Sequence, residues 1–352
     1  MPVARTRVLS IVAAVAIITA CGGQSASVGA SASASGAAAA SPSAASIAPL
    51  SLRIAGGQAQ ETNNGQQVKI WANEISVASG GKITATPHYG DIGADVDILH
   101  GAQNGSIDCI FDSTDIISSV APKMSVFSLP FIFGSYQQVY AVEDGSVGKG
   151  LLDGLASAGL VGLAYSDLGF RNFANNVRPI NTPNDLKGLK LRTLQGQIPT
   201  ATVQAFGAVP LPLAATEIYT SLQTHNIDGL DMPVPYFLSA KLYEVVKYYS
   251  LSRHTFTAMA FACSKTKWDT LSPAQQDAIR KATASAAQKG RAYDKDLEEK
   301  GLQDLKSKGV QINDVSDLSP FRQLAQSVYD LAGGTVGKDT IQSVQQAANA
   351  AK

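Results

Sequence analysis

The stretch Thr182-Pro183-Asn184-Asp185-Leu186-Lys187-Gly188-Leu189-Lys190-Leu191-Arg192 combines a helix start with a strand. Thr182 is a suitable N-cap, and Pro183 occupies the first helical position, where its fixed φ is favourable and an N–H is not needed. Residues 189–192 then alternate apolar and charged side chains, which is typical of a strand with one buried face. The stretch therefore predicts a short helix followed by a strand that ends in an arginine.

Helix and strand patterns alternate on both sides of this stretch. Residues 50–55 alternate as a strand does, and residues 66–77 have apolar side chains at helical spacing. Residues 272–308 form the longest helical segment, which begins with Ser272 as N-cap and Gln275 three residues later, a capping box. Such alternation indicates α/β domains with mainly parallel sheets.

The N-terminus has the features of a lipoprotein signal peptide. Arg5 and Arg7 precede an apolar segment over residues 8–20, which is short for a transmembrane helix. Ile18-Thr19-Ala20-Cys21 resembles the lipobox, in which the cysteine receives the lipid. We therefore predict a signal peptide over residues 1–20 and lipidation at Cys21. An ordinary cleaved signal or a single N-terminal membrane anchor are the alternatives.

Residues 21–49 are rich in Ser, Ala and Gly, so we predict a lipidated flexible tether with too little apolar surface to fold. About 300 residues follow, more than one core of common size, which predicts two domains. No later segment has the pattern of a transmembrane helix. We expect an extracytoplasmic protein, periplasmic or anchored to the outer face of the cell membrane through the lipid on Cys21 alone.

The composition is that of a folded protein without a charge bias. Hydrophobic residues make up 45% of the chain, and 28 Lys and Arg balance 28 Asp and Glu. Nucleic acid is an unsuitable partner, because its binding needs a basic surface. Cys109 and Cys263 lie in apolar runs and are either two core residues or a disulfide. No cysteine has a histidine at zinc-ligand spacing, so we expect neither a metal nor a cofactor.

Motifs of common catalytic sites do not occur in the sequence. There is no Gly-x-Ser-x-Gly, His-Glu-x-x-His or Gly-x-Gly-x-x-Gly. Residues 145–150 resemble a phosphate loop, but glycine follows Lys149 where the loop needs Ser or Thr. We predict no catalytic residue and no enzymatic activity, with a secreted α/β hydrolase as the rival class.

Several stretches carry the motifs of one family: Leu129-Pro130-Phe131-Ile132-Phe133, Gly169-Phe170-Arg171-Asn172-Phe173 with Arg178-Pro179-Ile180, Asp185-Leu186-Lys187-Gly188-Leu189-Lys190-Leu191-Arg192, Glu217-Ile218-Tyr219-Thr220-Ser221-Leu222-Gln223-Thr224 with Asp228-Gly229, and Tyr243-Glu244-Val245-Val246-Lys247-Tyr248. In this order, over residues 50–330, the chain resembles the DctP-type solute-binding proteins of tripartite ATP-independent periplasmic (TRAP) transporters. The resemblance implies a two-lobed α/β fold of the periplasmic-binding-protein kind, with the ligand cleft between the lobes and a long helix spanning both.

The same resemblance implies the lobes and the function. Lobe one is expected over residues 50–168 plus 257–297, and lobe two over residues 169–256 plus 298–352. The expected function is capture of a small organic carboxylate and its delivery to a TRAP-type membrane permease by a monomer. The alternative within binding proteins is a receptor that presents its ligand to a membrane sensor.

The resemblance also implies the ligand-binding residues. Arg192 matches the family arginine that pairs with the ligand carboxylate, and its planar, permanently charged guanidinium can hold both oxygens. Arg171 matches a second arginine, for which a structural salt bridge is the alternative. Phe170 and Asp231, which lie within or beside the matching stretches, belong to the expected set.

Departures from the family pattern complete this set. Met232 replaces a ligand-binding asparagine, and Ala215 stands where many relatives have phenylalanine. Ser113 stands where some relatives have a carboxylate. Tyr236 is expected to line the pocket with its aromatic ring, or alternatively to lie in the core. These departures predict a pocket that is less polar and roomier than one for a small sugar acid or C4-dicarboxylate.

Overall fold

The structure is a computed structural model and describes residues 46–351. The predicted signal peptide, Cys21 and the tether up to residue 45 lie outside the described residues. The strands are β1 Leu50–Gly56, β2 Ile83–Tyr89, β3 Cys109–Ser113, β4 Leu160–Asn175, β5 Lys190–Thr193, β6 Val209–Pro212, β7 Gly229–Met232, β8 Tyr248–Ser264 and β9 Gln311–Asp314. The helices are α1 Asn63–Ala78, α2 Asp95–Asn104, α3 Thr114–Ile117, α4 Tyr136–Glu143, α5 Ser146–Gly154, α6 Gln197–Ala205, α7 Ile218–Gln223, α8 Val234–Ser239, α9 Lys265–Trp268, α10 Pro273–Ser307, α11 Ser319–Ala332 and α12 Lys338–Ala350.

The strands form one mixed sheet in the order β2-β1-β3-β8-β4-β7-β5-β6, with β9 paired to β8. The flanks β2-β1-β3 and β7-β5-β6 are parallel, as predicted. The two central strands are antiparallel to each other and to the flanking strands they pair with, so the prediction of mainly parallel sheets is wrong for the centre. β4 has 16 residues and β8 has 17; β8 pairs with the first flank through β3, and β4 pairs with the second flank through β7.

The flanks attach to different parts of the β4–β8 pair. Strand β3 pairs with β8 at residues 259–263, whereas β7 pairs with β4 at residues 172–175. Between these two regions the β4–β8 register shifts at Asp167/Gly169 and at Arg171/Phe173. Gly169 has a φ of 111°, which favours glycine. The irregular segment 167–173 therefore lies where the sheet changes from one flank to the other.

Helix α10 is the long helix predicted from the sequence. Its 35 residues give a length of about 50 Å. Gln275 N–H donates to Ser272 Oγ at 3.3 Å, and Ser272 N–H donates to Gln275 Oε1 at 2.9 Å, which confirms the capping box. The helix packs on α1, α8 and β4. Asn63 of α1 donates to Asp294 of α10 at 2.8 Å, so a buried polar contact joins the two helices.

Two further packing features bear on the sequence predictions. Cys109 and Cys263 face each other across β3 and β8 and form a disulfide, which settles the alternative left open by the sequence. Helix α12 packs on α4 and α5. The last helix of the segment predicted as lobe two thus contacts elements predicted as lobe one.

Within residues 46–351, no helix is both long enough and apolar enough to cross a membrane.

Candidate ligand-binding site

A small, largely buried cavity of about 20 Å³ lies beside the irregular segment of β4. Six of the eight predicted ligand-binding residues line it: Ser113, Arg171, Arg192, Ala215, Met232 and Tyr236. Seven residues outside the predicted set complete the lining: Gln58, Asn64, Asp95, Asp112, Leu168, Leu194 and Met259. The structure thus brings together residues from both parallel flanks and both central strands.

Arg192 is the last residue of the stretch Thr182–Arg192, a short helical turn followed by a strand. Residues Pro183–Leu186 form a single 3₁₀ turn, stabilised by the Asp185 carboxylate, which accepts the Thr182 N–H at 2.8 Å. Strand β5 follows and pairs on both sides, with β6 and β7, so its third residue is buried. Arg192 is accordingly only 1% exposed.

In the part of the chain that the structure describes, the guanidinium of Arg192 has no acidic partner. Its Nε and Nη2 donate to the carbonyl oxygen of Leu213 at 3.0 and 2.9 Å. Among residues 46–351, no carboxylate oxygen lies within 4.0 Å of its nitrogen atoms. Burial and the charge of Arg171 lower the pKa of Arg192 to about 10, so it remains protonated at neutral pH. The site therefore contains a buried cation without an adjacent counter-ion.

Arg171 differs from Arg192 in being paired. Its Nε and Nη2 donate to the two carboxylate oxygens of Asp231 at 2.7 and 2.9 Å, and its Nη1 donates to Thr257 Oγ1 at 3.1 Å. His254 Nε2 lies 3.2 Å from the same carboxylate. These contacts form a salt bridge within the protein, which was the alternative to a ligand-binding role for Arg171. The Arg171 side chain also lines the cavity.

Asp231 is held in its ionised form by this pair. Burial alone would raise the pKa of Asp231, but the charge and hydrogen bonds of Arg171 and the hydrogen bond with His254 outweigh it and hold the pKa well below its usual range. Both carboxylate oxygens accept hydrogen bonds from protein side chains. Asp231 does not line the cavity, so it supports Arg171 rather than facing a ligand.

Phe170 is the other predicted residue that the cavity does not include. Its ring packs on Tyr136 and Phe256, with centroids 5.2 and 5.1 Å apart, and the Arg253 guanidinium lies 4.3 Å from the ring centre. Successive side chains of a strand point to opposite faces, and Phe170 precedes Arg171. The aromatic ring therefore lies in the core behind the cavity.

The sequence analysis did not identify the polar residues Gln58, Asn64, Asp95 and Asp112. Gln58 follows β1, Asp112 lies near the end of β3, and Asp95 begins α2. The carboxyl ends of parallel strands are the usual place for ligands in α/β sheets, and this topological signal could have found Gln58 and Asp112. The expectation of a pocket less polar and roomier than one for a small sugar acid or C4-dicarboxylate stays a prediction.

Asp95 and Asp112 are buried carboxyl groups. Burial raises the pKa of Asp95, and burial together with the charge of Asp95 raises the pKa of Asp112 well above its usual range. Tyr236 O–H donates to Gln58 Oε1 at 2.7 Å, and the Gln58 amide in turn reaches Asp95 at 3.3 Å. A Cβ at Gly57 would lie 1.6 Å from Asp95 Oδ1, so only glycine leaves room for this carboxyl group.

The cavity offers binding groups without a recognisable nucleophile and base. The hydroxyl of Ser113 accepts the Ile116 N–H at 3.3 Å as a helix cap, and no histidine is among the described residues that line the cavity. In the part of the chain that the structure describes, no group of three His, Cys, Asp or Glu side chains is arranged to hold a metal ion. A buried guanidinium beside such a cavity is chemically suited to holding a small anion.

Comparison with known proteins gives the family. The DctP family model, described as bacterial extracellular solute-binding protein family 7, matches residues 54–333, and the chain belongs to this family. The fold is similar to the sugar acid binding protein of Advenella mimigardefordensis in complex with galactonate, with a TM-score of 0.84 and 32% identity. That match covers 87% of this chain and 100% of the other. The predicted two-lobed fold class is thereby confirmed.

Two relatives carry a stated ligand. The chain is 32% identical to the 2,3-diketo-L-gulonate-binding periplasmic protein of Escherichia coli, over 72% of this chain and 76% of that protein. It is 30% identical to the C4-dicarboxylate-binding periplasmic protein DctP of Rhodobacter capsulatus, over 72% of this chain and 77% of that protein. These proteins are named for the carboxylates they bind.

Proposed function

We propose that this protein captures a small organic carboxylate outside the cytoplasm and delivers it, chemically unchanged, to a TRAP-type membrane permease. The observation that carries this proposal is the buried guanidinium of Arg192, which has no carboxylate within 4.0 Å among the described residues. An uncompensated charge in a low-dielectric interior is costly, so a ligand that supplies the counter-ion gains strongly. The carboxylates bound by the relatives have this chemistry.

The hydrogen bonds of Arg192 indicate which edge a ligand would use. Nε and one N–H of Nη2 are directed to Leu213 O, which occupies one side of the planar group. A guanidinium has five N–H donors, so the two of Nη1 and the second of Nη2 remain. A carboxylate can accept from both terminal nitrogens at once, which gives a charge-assisted, bidentate contact.

Lobe closure is the proposed mechanism of capture. The flanks β2-β1-β3 and β7-β5-β6 supply Asp112 and Arg192, respectively, to one cavity. We take lobe one as residues 50–168 plus 257–297 and lobe two as residues 169–256 plus 298–352, with α12 packed on lobe one. A ligand that contacts both flanks favours the closed arrangement, because only that arrangement makes all the contacts.

Ligand binding should raise the melting temperature of the protein without chemical change of the ligand. A ligand held only by the folded state at 100 times its Kd stabilises it by about 2.7 kcal/mol. Differential scanning fluorimetry of residues 46–352 with galactonate, 2,3-diketo-L-gulonate and C4-dicarboxylates tests this, followed by mass spectrometry of the recovered compounds. Methyl esters of the binders are the controls and should give no shift. A converted product would favour the hydrolase alternative.

The N-terminal segment is proposed to anchor the protein through a lipid on Cys21. The support is the lipobox-like sequence Ile18-Thr19-Ala20-Cys21 at the end of an apolar segment. Replacing Cys21 with serine should prevent lipidation, so the protein should appear in the soluble extracytoplasmic fraction or remain unprocessed. Fractionation with immunoblotting measures this, with the exposed-site variant Asp153→Asn as a control that keeps the lipobox. A Cys21→Ser protein of mature length in the membrane fraction would exclude the anchor.

A further inference from the structure

One side of the cavity consists of hydrogen-bond acceptors that lack donors. Asp112 Oδ1 accepts the Ser113 N–H at 2.7 Å, but its Oδ2 has no donor among the described residues. Asn64 Oδ1 is also buried without a donor in this part of the chain. Within residues 46–351, the Asp95 carboxyl group accepts only from the Gln58 amide, at 3.3 and 3.4 Å, which is long for such a bond. All three residues line the cavity, and Asn64, Asp95 and Asp112 are 6%, 4% and 4% exposed.

Buried polar atoms are almost always hydrogen-bonded in folded proteins, so unsatisfied acceptors at a cavity need an explanation. The described side chains around the cavity supply few free donors on this side, because Arg171 is engaged by Asp231 and the hydroxyl of Tyr236 by Gln58. A donor-rich group on a ligand would satisfy the acceptors of Asn64, Asp95 and Asp112 together.

The charges around the cavity point to a cationic donor. Arg171 and Asp231 neutralise each other, and the same lining holds Arg192 together with the carboxyl groups of Asp95 and Asp112. Asp115, 1% exposed, is a further buried carboxyl group whose charge acts on Asp112. A ligand with only a carboxylate would neutralise Arg192 and leave Asn64 Oδ1 and Asp112 Oδ2 without a donor among the described residues.

We propose that the ligand is an amino-carboxylate, whose carboxylate binds Arg192 and whose ammonium group is received by Asp95, Asp112 and Asn64. This inference rests on the proposed function. An ammonium group has three N–H donors and no acceptor, so it matches three acceptor side chains and supplies the positive charge. A hydroxyl group brings one donor and no charge. The carboxyl groups of Asp95 and Asp112 would therefore favour binding of amines over alcohols of the same carbon skeleton.

Isothermal titration calorimetry with matched pairs tests this selection. The pairs are alanine and lactate, serine and glycerate, aspartate and malate, 4-aminobutanoate and 4-hydroxybutanoate, and 5-aminopentanoate and 5-hydroxypentanoate. We expect the amino member of at least one pair to bind the native protein at least tenfold more tightly than its hydroxy partner. Asp112→Asn and Asp95→Asn should each reduce that ratio to about one, because each replaces a carboxyl group, which can ionise to pair with an ammonium group, by a neutral amide.

The control variant is Asp153→Asn, which alters an exposed carboxylate paired with Lys149 and should leave the ratio unchanged. Circular dichroism should show that the variants are folded. If one variant does not fold, the ratio of amino to hydroxy affinity on the native protein still tests the inference. Equal or tighter binding of the hydroxy member in every pair that binds would overturn this inference and leave the proposed function intact. A ratio unchanged by both variants would also overturn it. Absence of binding by any carboxylate, including those of the relatives, would overturn the proposed function as well.

Discussion

Replacing Arg192 with alanine should weaken carboxylate binding on the order of a thousandfold or more. The guanidinium is 1% exposed, and the described chain offers no carboxylate within 4.0 Å of it, so a bound carboxylate would be its only close counter-ion. Without Arg192 the ligand carboxylate would be buried beside Asp95 and Asp112 with no compensating charge. The loss includes the cost of leaving that carboxylate unpaired.

The variant Arg192→Lys separates charge from geometry. Lysine restores a positive charge but not the planar fork, so it cannot keep the two bonds to Leu213 O and also hold both ligand oxygens. We expect it to recover part of the affinity. Isothermal titration calorimetry measures both variants, and Arg322→Ala on the exposed face of α11 is the matched control. Binding by Arg192→Ala within about tenfold of native, roughly 1.4 kcal/mol, would contradict the assignment.

Replacing Asp231 with alanine should lower the free energy of unfolding by about 3–5 kcal/mol. Arg171 is 3% exposed, and Asp231 supplies both oxygens of its ion pair, so the variant leaves a buried guanidinium without its counter-ion. Breaking a buried pair by removing one partner is costly for this reason. Urea denaturation followed by tryptophan fluorescence measures the change at pH 7.

The pH dependence gives a second readout for Asp231. Its pKa is depressed in the folded protein, so its contribution is present above the unfolded value of about 3.9 and is lost as the pH falls below it. The difference in the free energy of unfolding between the native protein and Asp231→Ala should therefore decrease only as the pH falls below about 3.9. Asp153→Asn, which breaks an exposed pair, should cost less than about 1 kcal/mol. If Asp231→Ala also lowers the free energy of unfolding by less than about 1 kcal/mol, the Arg171–Asp231 pair contributes little to stability.

Local elements and the family could be predicted from the sequence because their signals are local. The capping residues Ser272 and Gln275 predict the start of α10, and the structure begins the helix at Pro273. The alternation over residues 189–192 predicts a strand, which the structure has as β5, Lys190–Thr193. Residues 165–175 of central strand β4 are buried throughout, so this part of the strand has no alternation of exposed and buried side chains from which its length could be predicted.

The sequence by itself determined the α/β class, the DctP family and the position of Arg192 on a strand, because periodicity, helix caps and motifs are properties of neighbouring residues. Only the tertiary structure decided which arginine is paired. Asp231 is 60 residues from Arg171 along the chain, and their contact depends on β4 lying beside β7. Contacts between segments that are far apart in the sequence likewise produce the acidic side of the cavity, the disulfide and the burial of Arg192. Periodicity and short motifs do not indicate which distant segments pack together.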